Sequence, residues 1–380
     1  MRISPGNNPP TQDPAHRFPL ATLMSFLFIA CQAGAEAPLK AEIARRHRSF
    51  RFAFSRPGFV TFKIPDEVRR DRKFELKSVF ARTWGHSIDK VSGESGEALA
   101  EKVWQLLTER YPADVLAEFR HLHVWERDRH LPGDDGFEPG ISPLAEEVGE
   151  LIHAAASMTD AEASLRFNET AGADERVLDV VLVEPGEWWI GWHRASSIER
   201  TWPGGVLDVD LPEGTVSRTY LKMVEALQWS GLRFDQGDSC VEIGSAPGGS
   251  CQALLERGLA VTGVDPADMD EALLASPYFT HLRARAKDLK RRRFSDFRWL
   301  MSDASVAPNY TLDTVEAIVT HSSVKIEGLL LTLKMPDWKQ AENIPDFTKR
   351  VRSLGYRFVR ARQLAYNRRE ICVAASDRSQ

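Results

Sequence analysis

The hydrophobic positions of this chain change rhythm part-way along it. In the first half they come in short runs. Ser25 to Cys31 is almost entirely apolar, and Phe59-Val-Thr-Phe-Lys-Ile64 alternates. Arg120-His-Leu-His-Val-Trp-Glu126 also alternates, which places His121 and His123 on one face of a strand. Arg176 to Val183 is an apolar strand, and the turn signal Glu184-Pro-Gly-Glu187 returns it as Trp188-Trp-Ile-Gly-Trp-His193. Phe80 to Trp84 reads as a further strand. Helical spacing appears at Glu36 to Arg46, at Ala98 to Arg110 with Leu99, Val103, Leu106 and Leu107 on one face, and at Leu144 to Ala155. Asp128 to Pro143 is rich in Gly, Pro and Asp and reads as a loop. Short strands mixed with helices predict an α+β region.

After Trp202-Pro-Gly-Gly205 and Leu211-Pro212, which read as a linker, strand and helix patterns alternate. Thr215 to Leu227 is a capped helix with Leu221, Val224 and Leu227 as its buried stripe, and Ser217 or Thr219 as its cap. Apolar strands follow at Cys240–Ile243, Leu259–Val264, Trp299–Ser302, Ala317–Val319, Leu329–Leu333, Arg357–Ala361 and Ile371–Ala374. This order predicts a Rossmann-like, doubly wound α/β sheet. The chain therefore divides into a proline-rich disordered tail (1–19), an α+β region (20–197) and an α/β domain (198–380). Phe18 to Ala35 has the apolar character of a signal-peptide core. Its flank carries only Arg2 and Arg17, so a buried strand is expected instead. No apolar run is long enough to span a membrane.

Composition narrows the function classes. The 380 residues carry a net charge of −5, so any nucleic-acid surface must be a local patch. Cys31, Cys240, Cys251 and Cys372 form no C-x-x-C pair. That argues against zinc and against a disulfide scaffold, and it suits a reducing cytoplasm. His121 and His123 have no third ligand near them in sequence and read as surface or groove residues.

The candidate chemistry gathers where strands end. The run Cys240 to Ile243 stops at Gly244-Ser-Ala-Pro-Gly-Gly249, and a helical pattern from Cys251 follows. Such a turn sits at the carboxyl end of a strand, where open α/β sheets bind ligands. Its glycines would let a ligand touch the backbone. The spacing is not G-x-G-x-x-G. Asp265 ends the next strand, about 20 residues on, and is placed to accept from ribose hydroxyls, which indicates an adenosine-type cofactor. A tight turn with a capping Asp is the alternative. Lys222 lies early in its helix, Asp303 and Lys334 end apolar strands, and Glu370 begins the last one. Burial would push Lys334 toward the neutral form, and the two acids would pull the other way.

Gly244-Ser-Ala-Pro-Gly-Gly249, Ser302-Asp-Ala-Ser-Val-Ala-Pro-Asn309, Leu331-Thr-Leu-Lys334 and Arg369-Glu370 resemble the FtsJ-type ribose 2′-O-methyltransferases. The resemblance implies S-adenosyl-L-methionine as cofactor and Lys222, Asp303, Lys334 and Glu370 as that family's catalytic tetrad. It also implies Thr219, Gly244, Ser245, Ala246, Pro247, Gly248, Gly249, Asp265 and Asp303 as cofactor-binding residues. Trp202-Pro-Gly-Gly-Val206, Ser217-Arg-Thr-Tyr-Leu-Lys222, Leu333-Lys-Met-Pro336 and Arg362-Gln-Leu364 are similar to the RlmM branch. That branch methylates a cytidine ribose of large-subunit rRNA and carries a ferredoxin-like plus THUMP region for RNA. Ile29-Ala-Cys-Gln-Ala-Gly-Ala-Glu-Ala37 looks like the opening of such a region. The expected partner is therefore RNA, with neither membrane nor metal required, since the sulfonium supplies the electrophile.

Two positions depart from the family pattern. Arg285 stands where an acid would contact adenine, with Asp288 nearby, and Ser250 replaces a common Trp. Arg283, Arg285 and Lys287-Asp-Leu-Lys-Arg-Arg-Arg-Phe294 form a basic stretch suited to phosphates or to a solvated helix face. Trp188, Trp189 and Trp192 could stack on bases or fill a core. The alternative function is a non-catalytic RNA-binding protein that keeps the fold. A base-amino methylase would be expected to carry an Asn/Asp-Pro-Pro-aromatic motif, and none occurs.

Overall fold

The computed structural model describes residues 25–71, 73–156 and 165–377. The expected tail, 1–19, lies outside them. Two sheets form among the described residues, one on each side of the linker.

The first half supplies β1 (Phe26–Ala30), α1 (Glu36–Arg46), β2 (Arg51–Arg56), β3 (Phe59–Lys63), α2 (Asp66–Arg70), β4 (Thr83–Ser92), α3 (Gly96–Arg110), α4 (Ala113–Leu116), β5 (Phe119–Glu126), α5 (Pro143–Ala156), β6 (Arg166–Phe167), β7 (Arg176–Glu184) and β8 (Glu187–Arg194). Its eight strands lie in the order β2-β3-β1-β4-β8-β7-β5-β6. The β5–β7 and β5–β6 pairs are parallel and the rest antiparallel. Ser95 caps α3, its side chain accepting from Ala98 N at 3.3 Å; of the predicted stripe Leu99, Val103 and Leu107 are buried and Leu106 only partly so, while Trp104 is buried beside them. They pack with Val148 and Ile152 of α5 and with Leu178, Val180, Trp188 and Ile190 of the sheet. Trp188 is thus a core residue, and Trp189 stacks on Phe54.

The second half supplies α6 (Thr219–Ser230), β9 (Ser239–Ile243), α7 (Gly249–Glu256), β10 (Ala260–Val264), α8 (Glu271–Leu274), β11 (Phe279–Leu282), β12 (Trp299–Ser302), α9 (Pro308–Val319), β13 (Gly328–Lys334), α10 (Ile344–Ser353), β14 (Phe358–Arg362) and β15 (Glu370–Ser376). The sheet order is β11-β10-β9-β12-β13-β15-β14. All pairs are parallel except those of β15, which runs against both its neighbours. This is a mixed α/β sheet, with the first crossover at the predicted glycine turn.

Three expectations are corrected. Ala317–Val319 is not a strand but the last turn of α9. Val315 and Ile318 are buried on one helical face, and a three-residue window is too short to distinguish the two periods. The strand expected at Phe80–Trp84 begins at Thr83 and runs on to Ser92 through polar residues. His121 and His123 do share a face, but it is an interior one: both are 0% exposed, so they are neither surface nor groove residues. The strand that covers them from the side comes 50 residues later, outside the reach of local pattern. Among the described residues, no helix is long and apolar enough to cross a membrane. The four cysteines are buried and unpaired.

The two halves meet on the loop that precedes β15. Gln363 N donates to Val79 O at 2.8 Å, Arg362 donates to the Arg82 carbonyl, and Gln363 Nε2 donates to Gln32 Oε1 at 2.7 Å. Arg82 in turn is buried against Asp128 at 2.6 Å and donates to Gly204 O at 3.0 Å. The start of β15 is therefore held from the first sheet as well as the second.

Candidate active site

The sheet topology decides which polar residues meet. β9, β10, β12 and β13 are parallel, so Gly244, Asp265, Asp303 and Lys334 all leave the sheet at its carboxyl edge. β15 is antiparallel, so its first residue lies at that same edge. In register, Glu370 stands directly opposite Lys334. Without the reversed strand, Glu370 would sit at the far end of the sheet.

Lys222, on the first turn of α6, completes the group. Lys334 Nζ lies 2.7 Å from Asp303 Oδ1 and 2.8 Å from Glu370 Oε2. Lys222 Nζ lies 3.2 Å from Asp303 Oδ2 and 2.6 Å from Glu370 Oε1. Each carboxylate thus bridges both amines in a closed ring of alternating charge. The carboxylates are nearly buried, while Lys334 keeps 22% of its side chain exposed, so one amine remains reachable. Burial alone would lower the Lys334 pKa, but Asp303 and Glu370 outweigh it and hold it above the usual lysine value. Of the two opposing effects expected from the sequence, the pull of the acids prevails: at rest Lys334 is an ammonium. Burial alone would raise the Glu370 carboxyl, but Lys222 and Lys334 pull it down to about 2.

Beside this ring lies a cavity of about 540 Å³, lined among others by Gly244, Ala246, Asp265, Arg285, Ser302, Asp303 and Tyr310. Its size suits a nucleoside-sized ligand. The Asp265 carboxylate is fixed by two backbone donors, Ala246 N at 3.2 Å and Ala267 N at 2.8 Å. Gly244 has φ +79°, and a Cβ there would come within 2.6 Å of Ala304 Cα. The glycine is required because β12's loop crosses it closely.

The remaining predicted contacts lie outside the lining of this cavity. Ser245 is buried against Met269, and Thr219 Oγ1 accepts from Ser250 N at 3.1 Å at the start of α7. Neither these two nor Pro247, Gly248 and Gly249 line the cavity. Arg285 and Lys287 do line it, while Asp288 does not. The basic stretch is not a helix face: it forms two single turns, Ala286–Asp288 and Arg291–Phe294, anchored by the buried Phe294. Arg285, Lys287, Lys290, Arg292 and Arg293 are exposed or partly so.

Residues 215–336, which include the glycine turn and three members of the charged ring, match the family described as FtsJ-like methyltransferase. This segment is an FtsJ-like methyltransferase domain. Similar proteins include the ribosomal RNA large subunit methyltransferase M of Halorhodospira halophila, 31% identical over 46% of this chain and 51% of that one. The protein of the same name from Laribacter hongkongensis is 27% identical over 63% and 65%. That from Yersinia pestis is 23% identical over 66% and 76%. The chain thus spans about half to two-thirds of the length of the first two relatives. Among solved structures, TrmN from Thermus thermophilus aligns over 93% of this chain and 99% of that one, at 14% identity and a TM-score of 0.33.

One buried residue of the FtsJ-like domain escaped the sequence reading. Glu225 lies one turn after Lys222 on α6, and its carboxylate accepts from Ala365 N at 2.9 Å and Tyr366 N at 3.0 Å. It pins the loop that delivers Glu370. The signal was present, since a Glu fell among the apolar residues of that helix, but its backbone partners lie 140 residues away.

Proposed function

We propose that this protein is an S-adenosylmethionine-dependent RNA ribose 2′-O-methyltransferase whose target is a cytidine of large-subunit rRNA, and that it works in the cytoplasm. The observation that carries this reading is the closed ring of Lys222, Asp303, Lys334 and Glu370 at the rim of a nucleoside-sized cavity in an FtsJ-like domain. The relatives' shared name supports rRNA as the substrate class.

The cavity fits the cofactor. Asp265, held by two N–H donors, would accept from its ribose hydroxyls, and Gly244 and Ala246 would lie against it. Arg285 on the cavity wall would stack over the adenine or meet the RNA rather than accept from an adenine amino group, because guanidinium has no acceptor. When bound, the sulfonium supplies an electrophilic methyl group and needs no proton to leave.

The chain's own residues handle the 2′-hydroxyl. Lys334, the more exposed amine, donates to the 2′-oxygen and aims its lone pair in line. Asp303 and Glu370 hold the lysine from behind, and as the 2′-oxygen gains the methyl group its proton passes to water at the exposed side of Lys334. Lys222 balances the second carboxylate charge and helps keep Glu370 ionised. In this scheme Arg285, Lys287, Lys290, Arg292 and Arg293 bind RNA phosphates next to the site. Residues 198–380 form the catalytic domain and 20–197 the region that holds RNA.

The deciding experiment maps ribose methylation on total rRNA from cells with and without the protein. A single missing 2′-O-methyl cytidine is expected. An unchanged map, together with calorimetric binding of RNA but not of S-adenosylmethionine, would leave a non-catalytic RNA-binding protein.

A further inference from the structure

Three strands of the first sheet turn polar side chains toward one interior spot. His123 on β5 pairs in register with Asp179 on β7, and His193 on β8 pairs with Val177, one rung along the same face. One ring nitrogen of each histidine and one oxygen of Asp179 all lie within 4.8 Å of one another. None of the three is more than 1% exposed.

The hydrogen bonds leave these groups set for coordination. His123 Nε2 faces Glu169 O at 3.0 Å and His193 Nε2 faces Arg200 O at 2.8 Å. A carbonyl can only accept, so both Nε2 atoms carry hydrogen, and each ring offers its Nδ1 on the other side. Imidazoles that bind metals are oriented in this way, with the far N–H donated to a backbone carbonyl. His123 Nδ1 is buried and has no hydrogen-bond partner among the described residues. His121, whose ring lies 6.0 Å from that of His123, also has a buried Nδ1 without a partner. Buried imidazole nitrogens left without partners call for an occupant such as an ion. His193 Nδ1 lies 2.6 Å from Asp179 Oδ2, and Trp125 Nε1 donates to Asp179 Oδ1 at 3.2 Å. His193 Nδ1 and Asp179 Oδ2 are thus turned toward one another at the spot that His123 Nδ1 faces.

We infer that His123, Asp179 and His193 form a buried structural site for a Zn2+-class cation. The two imidazoles and one carboxylate match the nitrogen and oxygen ligands of such ions. Bonds of about 2 Å set tetrahedral ligand atoms about 3.3 Å apart; the atoms here lie within 4.8 Å of one another, and His193 Nδ1 and Asp179 Oδ2, at 2.6 Å, would part by under about 1 Å to take the ion between them. A water would supply the fourth ligand. Full burial makes the ion a staple rather than a catalyst. Through the Glu169 and Arg200 carbonyls it ties the segments around 169 and 200 to the sheet. The site shares no residue with the ring around Lys334, so it stands or falls independently of methyl transfer.

The test uses the full chain, stripped with EDTA and titrated with Co2+. Expected are saturable uptake of about one ion per chain, the strong visible bands of a four- or five-coordinate site, and displacement by Zn2+. The variants His123→Asn and Asp179→Asn, if folded, lose this uptake. A spectrum that stays that of the hexa-aqua ion, or uptake undiminished in both folded variants, overturns the assignment. If the variants do not fold, nitrogen NMR of the wild type decides. Two histidine Nδ1 signals that move with Zn2+ while their Nε2–H signals persist support the site, and unmoved signals reject it.

Discussion

Replacing Glu370 with glutamine tests whether the four charged residues act as one electrostatic unit. The amide keeps the shape of the side chain and removes the charge that faces Lys222 at 2.6 Å and Lys334 at 2.8 Å. In the fold, the two ammonium groups overcome burial and bring the carboxyl from 4.5 to about 2. That drop corresponds to about 3 kcal/mol, at about 1.4 kcal/mol per pH unit. The contribution has a definite pH sign. A carboxyl whose pKa is depressed by folding stabilises fully above its unfolded value and loses that stabilisation as pH falls toward the folded value. Glu370→Gln should therefore be less stable than wild type by about 3 kcal/mol at pH 7, with the gap narrowing below about pH 4.5 as the wild-type carboxyl titrates. Urea unfolding across that range measures it. The same substitution leaves Asp303 as the single carboxylate on Lys334, so the lysine pKa falls. The alkaline midpoint of single-turnover methyl transfer should move down. A stability gap that does not change with pH, together with an unmoved midpoint, would refute the idea that these charges are coupled.

Other outcomes follow from the same geometry. Lys334→Ala should cut single-turnover transfer by about a thousandfold or more, the range expected when a proton-handling group is removed, while calorimetric cofactor affinity stays within a fewfold. Gly244→Ala should lower thermal stability and cofactor affinity together, by about 1–3 kcal/mol, because of the positive φ and the 2.6 Å approach to Ala304 Cα. Reversing Lys287 and Arg292 to Glu should weaken RNA binding and flatten its dependence on log salt by about one for each phosphate no longer neutralised, with cofactor binding unchanged. Glu225→Gln should raise KM or lower kcat without touching a ligand, and the loop at Ala365–Tyr366 should show faster amide exchange.

The second sheet was legible because its strands are short apolar runs closed by turn residues, and a strand ending in Gly244-Ser-Ala-Pro-Gly-Gly249 announces a crossover at a ligand-binding edge. The same pattern named Lys222, Asp303, Lys334 and Glu370 as residues standing at element ends. Where local signal was weak, the reading failed. Ala317–Val319 offered too few residues to separate helix from strand. β2 (Arg51–Arg56) keeps Phe52 55% exposed and so lacks a buried face to mark it.

By itself, the amino-acid sequence determined which residues could carry charge at the sheet edge and where the chain must turn, because both are written in neighbours a few positions apart. Only the tertiary structure decided that Glu370 faces Lys334, since that depends on β15 running antiparallel between β13 and β14. It also decided the balance at Lys334, where the sequence set burial against the acids: two carboxylates 31 and 36 residues away along the chain outweigh burial. The histidines followed the same rule. His121 and His123 had no third ligand within reach along the chain, but β7 and β8 brought Asp179 and His193 against them across the sheet. Charge and coordination act through space over a few ångströms, and residues that close in the fold can be any distance apart in the sequence.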